Sequence, residues 1–138
     1  PELPHDYETQ GLDKVVIVLT DGQNQFYDWK GHSPNGGVGP SGSDYTAYGR
    51  LNDFGFFTLN QARAEIDTRF SNICTAMKDE GILIYAITFG NTPNDDTQDL
   101  YRDCATQPSY YKHAPDNDDL QTVFQEISEQ LSNLRIAE

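Results

Sequence analysis

One carboxylate, Asp21, is the side chain best placed to do chemistry, at the end of the run Val15-Val16-Ile17-Val18-Leu19-Thr20-Asp21-Gly22. The run before it is apolar and β-branched with no alternation, the pattern of a short strand buried on both faces of a parallel sheet. Ligands of such sheets gather outside the carboxyl ends of the strands. A carboxylate there suits a hard cation such as Mg²⁺, which takes oxygen ligands and retains waters. There is also a plainer reading, because Asp-Gly is a tight-turn pair that ends a strand without binding anything.

The other reactive residue types form no catalytic set. His5, His32 and His113 are scattered and read as ordinary surface or loop residues. Gly39-Pro40-Ser41-Gly42 is not a Gly-x-Ser-x-Gly elbow and follows no strand. No glycine-rich loop precedes a helix with the lysine that phosphate binding needs. Asp28, Asp44 and Asp53 lack the spacing of a calcium loop. Asp95-Asp96 and the run Asp116 to Asp119 read as solvated helix starts. Cys74 and Cys104 match neither a zinc pattern nor Cys-x-x-Cys; they pair if the domain is exported and stay as buried thiols if it is cytosolic. The residues therefore point to binding and not to catalysis.

Several elements must position these groups. Thr58 and Gln61 have capping-box spacing, and Leu59, Ala62, Ile66, Phe70, Ile73 and Met77 make one apolar stripe, which predicts a helix from about 59 to 79. Gly81 is its stop. A second buried strand, Ile82–Phe89, ends at Gly90. A short helix over about 97–105 follows, then a short strand near Tyr110-Tyr111-Lys112. A last helix from about Asn117 carries Leu120, Val123, Phe124, Ile127, Leu131 and Leu134 on its buried side. Strand, helix and strand of this kind form a parallel crossover unit. Between the first strand and the first long helix lies a loop of about 23–57, rich in Gly, Ser, Asn and aromatics. A loop this long either contacts a ligand, with Trp29, Tyr45 and Tyr48 as its contact residues, or is a packed surface loop that binds nothing, and its many aromatics predict that parts of it pack down.

Composition narrows the partners. The chain has 138 residues, one domain's worth, and its 22 acidic against 9 basic residues give a formal charge of −13. That excess works against nucleic acid or an anionic membrane as partner. No run reaches the roughly 20 apolar residues of a bilayer span. The opening Pro1-Glu2-Leu3-Pro4 has no signal-peptide pattern, and the chain reads as a piece of something longer. The most apolar strand comes first, and an unpaired edge there would be prone to aggregation, so strands from elsewhere are expected to pair with it.

The order of elements, with Leu19-Thr20-Asp21-Gly22 closing the first strand, resembles the second half of a von Willebrand factor A domain. The resemblance covers nearly the whole chain. It implies an α/β, three-layer, Rossmann-like fold with a parallel sheet and helices on both faces. Residues 1–138 would then be the C-terminal part of a single such domain, with the loop at about 23–57 as an insertion. It also implies a divalent-cation adhesion site at the carboxyl edge of the sheet, in which Asp21 matches the Asp of the family's Thr-Asp-Gly turn. The family's Asp-x-Ser-x-Ser motif is nowhere in this chain, so the remaining ligands would lie outside it.

Three details are similar to the TadG-like proteins of the bacterial tight-adherence (Flp) pilus system: Cys74-Thr75-Ala76-Met77-Lys78 in the helix before Gly81-Ile82, Leu100-Tyr101-Arg102-Asp103-Cys104-Ala105 followed by Tyr110-Tyr111, and the apolar last helix running into Leu134-Arg135-Ile136. What this resemblance implies is a non-enzymatic adhesion or pilus-assembly module exposed outside the cytoplasmic membrane, from a membrane-anchored parent, with a Cys74–Cys104 disulfide. Its partners would be a pilus component or surface ligand and the remainder of the A domain. The alternative is a structural pilus-assembly subunit with no functional metal site.

Overall fold

The structure, a computed structural model, describes residues 13–25, 46–55 and 58–134. The fold class is α/β. Strand β1 (Val15–Thr20) pairs in parallel with β2 (Leu83–Phe89), and β2 in parallel with β3 (Tyr111–Ala114), giving the order β1-β2-β3. The helices are α1 (Leu51–Phe54), α2 (Leu59–Asp79), α3 (Asp95–Cys104) and α4 (Asn117–Leu134), with a 3₁₀ turn at Pro108–Tyr110. By contacts the chain divides into two compact units, Pro1–Gly22 with Ile73–Glu138 and Gln23–Asn72.

The first unit is built around β2. Alternate side chains of a strand face opposite sides of its sheet. Tyr85 and Ile87 point to one side and form the buried core with Ala114 of β3 and Val123 and Ile127 of α4. Val15, Phe89, Tyr110, Leu120 and Leu131 pack around that cluster. Ile84, Ala86 and Thr88 point to the other side and are just as fully buried. Helix α3 lies on that side, burying Thr97, Tyr101 and Cys104, and its Arg102 sits 5.2 Å over the ring of Tyr111. The sheet thus carries helices on both faces.

Local chemistry sets where the elements stop and start. Helix α2 closes with Gly81 N–H on Lys78 O and Ile82 N–H on Met77 O, both at 3.0 Å. This pair of bonds needs a left-handed residue, which Gly81 supplies at φ 73°. Asn94 caps α3 by accepting from Thr97 N–H at 2.9 Å, so the helix starts two residues before the expected position. Asp116 caps α4, accepting from the amides of Asp118 and Asp119 at 2.9 and 3.0 Å. The Cys74–Cys104 disulfide joins α2 to the end of α3 across a sequence separation of 30. Closing such a loop contributes about 3–4 kcal/mol in the chain-entropy model.

Three expectations need correction. Strand β1 is not buried on both faces: among the described residues it is an edge strand, with Ile17 40% and Leu19 49% exposed. Its composition is that of a central strand, but it has a described neighbour on one side alone. Ile73 does not belong to the inward stripe of α2, being 57% exposed; the bridged Cys74, four residues on from Phe70, is the buried residue of that turn. Phe124 is likewise exposed on α4, beside the buried Val123 and Ile127.

In the second unit part of the long stretch packs down, as its aromatics suggest, into a turn and a short helix. Thr46 and Gly49 exchange backbone hydrogen bonds at 3.0 Å, forming a tight turn before α1. Gly49 has φ 86°, and a Cβ there would lie 3.0 Å from Asp53 Cβ, so both conformation and space call for glycine. Asp53 in turn accepts from Arg50 N–H at 3.0 Å. Leu51, Leu59 and Ala62 form a small buried cluster with Ile66 against it. Thr58 starts α2 by accepting from Gln61 N–H at 3.2 Å. Arg63 donates to Gln23 Oε1 at 3.3 Å and Asn24 to Asp67 Oδ1 at 2.9 Å, holding residues 23 and 24 to α2.

Candidate functional site

The carboxyl end of the parallel sheet gathers more polar chemistry than the Thr-Asp-Gly turn alone. Strand register sets Thr20 beside Thr88 and Thr88 beside His113, so one row across all three strands is polar. Beneath it the next row on the same face is Val18, Ala86 and Tyr111. The sheet therefore changes from apolar to hydrogen-bonding at its end, where a parallel sheet presents ligand sites.

At β1 the Thr20 hydroxyl shapes the turn. It donates to Gly22 O at 2.8 Å and accepts from Gly22 N–H at 3.2 Å. The Asp21 side chain between them is exposed. Thr20 is thus committed to its own backbone, and Asp21 is the group offered outward.

At β2 and β3 the centre is Thr88, which is fully buried. Its Oγ1 lies 3.1 Å from Tyr111 Oη and 3.0 Å from His113 Nδ1. His113 Nδ1 is also 3.2 Å from Thr88 O, and Nε2 is 3.4 Å from Thr92 Oγ1. A carbonyl oxygen only accepts, so the Nδ1 contact with Thr88 O is a hydrogen bond in the tautomer that carries its hydrogen on Nδ1. This chain of contacts ties β3 to the loop between β2 and α3. Gly90 N–H on Ala114 O at 2.9 Å adds a backbone tie at the same level.

Buried polarity recurs on the α4 side of the sheet. Tyr85 stacks on Tyr110 with ring centroids 4.2 Å apart, and its hydroxyl donates to Gln130 Oε1 at 3.2 Å. Burial, and then the neighbouring Tyr110, push the Tyr85 phenol up to about 12. This tyrosine is a neutral structural residue. Lys112, also on that side, pairs with Glu126 of α4 at 2.8 Å.

A hard divalent cation needs a shell of about six oxygens. Among the described residues no group of three His, Cys, Asp or Glu side chains converges to hold a metal. Asp21 fits one corner of such a shell and does not complete one. Of the other predicted residues, Cys74 and Cys104 are brought together as a disulfide. Tyr48 lies in the second unit, 48% exposed, with the Arg69 guanidinium 5.9 Å from its ring. Trp29 and Tyr45 lie outside the described residues.

The expectation that His113 is an ordinary surface or loop residue is corrected, since it sits in β3 and bonds the buried Thr88. A signal for this was available. Thr88 is the polar residue in an otherwise apolar run, and a buried hydroxyl must find partners. Tyr111 and His113 stand two apart, hence on one face of a strand.

No family model matches the chain, and no curated protein sequence does. Among solved structures the chain is similar to proximal thread matrix protein 1 from the mussel byssus, in two crystal structures. One match has 20% identity over 83% of this chain and 19% of that one, with a TM-score of 0.44. The other has 19% identity over 88% of this chain and 20% of that one, with a TM-score of 0.46. The chain spans about a fifth of the length of the protein it matches.

Proposed function

We propose that this chain is the second half of a von Willebrand A-like domain, similar to those of TadG-like pilus proteins, and works as a non-enzymatic recognition module. Its partner, a pilus component or surface ligand, is met at the carboxyl edge of the sheet. The observation that carries this reading is the exposed Asp21 carboxylate, presented by a turn that the Thr20 hydroxyl closes. A divalent cation, Mg²⁺ by preference for carboxylate oxygens, would be held there jointly with ligands from the rest of the domain. When bound it would offer a positive charge to an acidic group of the partner.

A disulfide with both cysteines buried favours an extracytoplasmic setting, where such bridges persist. No helix among the described residues is long and apolar enough to cross a membrane, so anchoring by such a helix would be the task of other parts of the parent protein.

The exposed Ile17 and Leu19 favour a second reading, a structural subunit that docks through β1 without any metal. Calorimetric titration with Mg²⁺ of the domain completed by its other half separates the two. The metal reading expects binding by the wild type and its loss in Asp21→Ala. Heatless titration of the wild type overturns it and leaves the structural reading.

A further inference from the structure

The two sides of β2 are paired unequally. On one side β1 accompanies it from Leu83 to Thr88. On the other side the pairing with β3 begins only at Ala86, so among the described residues the start of the central strand has no strand partner there. The residue that fills this gap is Thr106. Its amide donates to Ile84 O at 3.0 Å, and its Oγ1 accepts from Ile84 N–H at 2.7 Å. The same hydroxyl lies 3.5 Å from Ile82 O. One residue thus performs both hydrogen bonds that a third strand would make to Ile84, whose side chain is fully buried.

Thr106 belongs to no strand of its own. What fixes it is the end of α3, two residues earlier, where Cys104 is bonded to Cys74 of α2. Lys78 Nζ on Asp103 O, at 2.7 Å, is the second tie between the same two helices, and it is exposed to solvent. The covalent tie is the stronger by far.

We propose that the Cys74–Cys104 bridge is a redox-dependent clamp that holds Thr106 on the edge of β2, so that reduction frees the backbone of Ile84 on that side while β1 stays paired. The step needs an external thiol reductant. A dithiol breaks the S–S bond and becomes a disulfide itself, and its two electrons and two protons leave Cys74 and Cys104 as thiols. Both cysteines are at most 2% exposed, so the reductant reaches them only when the end of α3 opens.

Amide hydrogen exchange of the full chain, read residue by residue along β2, tests this. Dithiothreitol is the reductant probe, with thiol release confirmed by mass. Reduction is expected to speed exchange at Ile84 by roughly tenfold or more, with Leu83, which donates to Lys14 O on the β1 side, changing far less. Thr106→Val, made in the oxidised protein, keeps the bridge and removes the hydroxyl acceptor at an exposed position. It is expected to reproduce the Ile84 effect, and Thr106→Ser to restore protection. The proposal is overturned if Ile84 keeps its protection on reduction. It is equally overturned if Ile84 and Leu83 accelerate together, which makes the bridge a general stabiliser, or if Thr106→Val leaves Ile84 protected.

Discussion

Strands β1 and β2 are nearly interchangeable as sequences and differ sharply as structure. Val-Val-Ile-Val-Leu-Thr and Leu-Ile-Tyr-Ala-Ile-Thr-Phe are both apolar runs ending in or near a threonine. Five consecutive residues of β2 are buried, whereas β1 alternates between half-buried and exposed. The difference lies in position and not in composition. β2 has strands on both sides and helices on both faces, and β1 has a described strand on one side. An apolar run records how much burial a strand is suited to, and the neighbours decide how much it receives.

Paired substitutions sharpen this contrast. Ile87 and Leu19 are register partners on the same face of the sheet, one fully buried and the other half exposed. Ile87→Ala should cost about 3 kcal/mol in chemical denaturation, and Leu19→Ala less than about 1 kcal/mol. Comparable losses would show that β1 is as well covered in solution as β2.

The second test uses pH. The Tyr85 phenol of β2 is raised from 10.0 to about 12 in the folded state. For a group raised on folding, the stabilisation is complete below the unfolded value and is lost as pH climbs through the folded one. About 2 kcal/mol should therefore disappear between pH 10 and 12, and Tyr85→Phe should remove that part of the alkaline decline. A wild type and variant with parallel pH profiles would place the phenol in contact with water.

The smallest effect concerns the polar row. Thr88 and Thr20 are also register partners. Thr88→Val strips the buried partner from Tyr111 and His113 and should cost about 1–2 kcal/mol, whereas Thr20→Val disturbs only a surface turn and should cost less than about 0.5 kcal/mol. Thermal melts of the two variants measure this. Equal shifts would mean that the Thr88 network adds nothing beyond a strand-end hydroxyl.

The sequence was most legible where period and punctuation agreed. Helix α2 falls within Leu59–Asp79 as expected because an apolar stripe, a Thr cap and a left-handed Gly all mark it. The bridge between Cys74 and Cys104 followed from a family resemblance and not from spacing, since spacing alone left thiols open. Edge or centre for β1 was not legible, because strand order is a non-local property. His113 was missed for a related reason: its partner Thr88 is 25 residues away in sequence and adjacent only through parallel pairing. α1 and the Thr46–Gly49 turn escaped notice because four-residue elements show no period.

The bridge has a mechanical meaning as well. It closes a covalent ring over a separation of 30 residues, and the whole of β2 lies inside that ring. Tension applied along the chain runs from α2 through the sulfur atoms to the segment after α3 and bypasses the central strand. The ring withholds on the order of 100 Å of contour length from any extension. A domain pulled by its ends would stretch in its flanks, and β2 would remain slack until the sulfur link itself gave way.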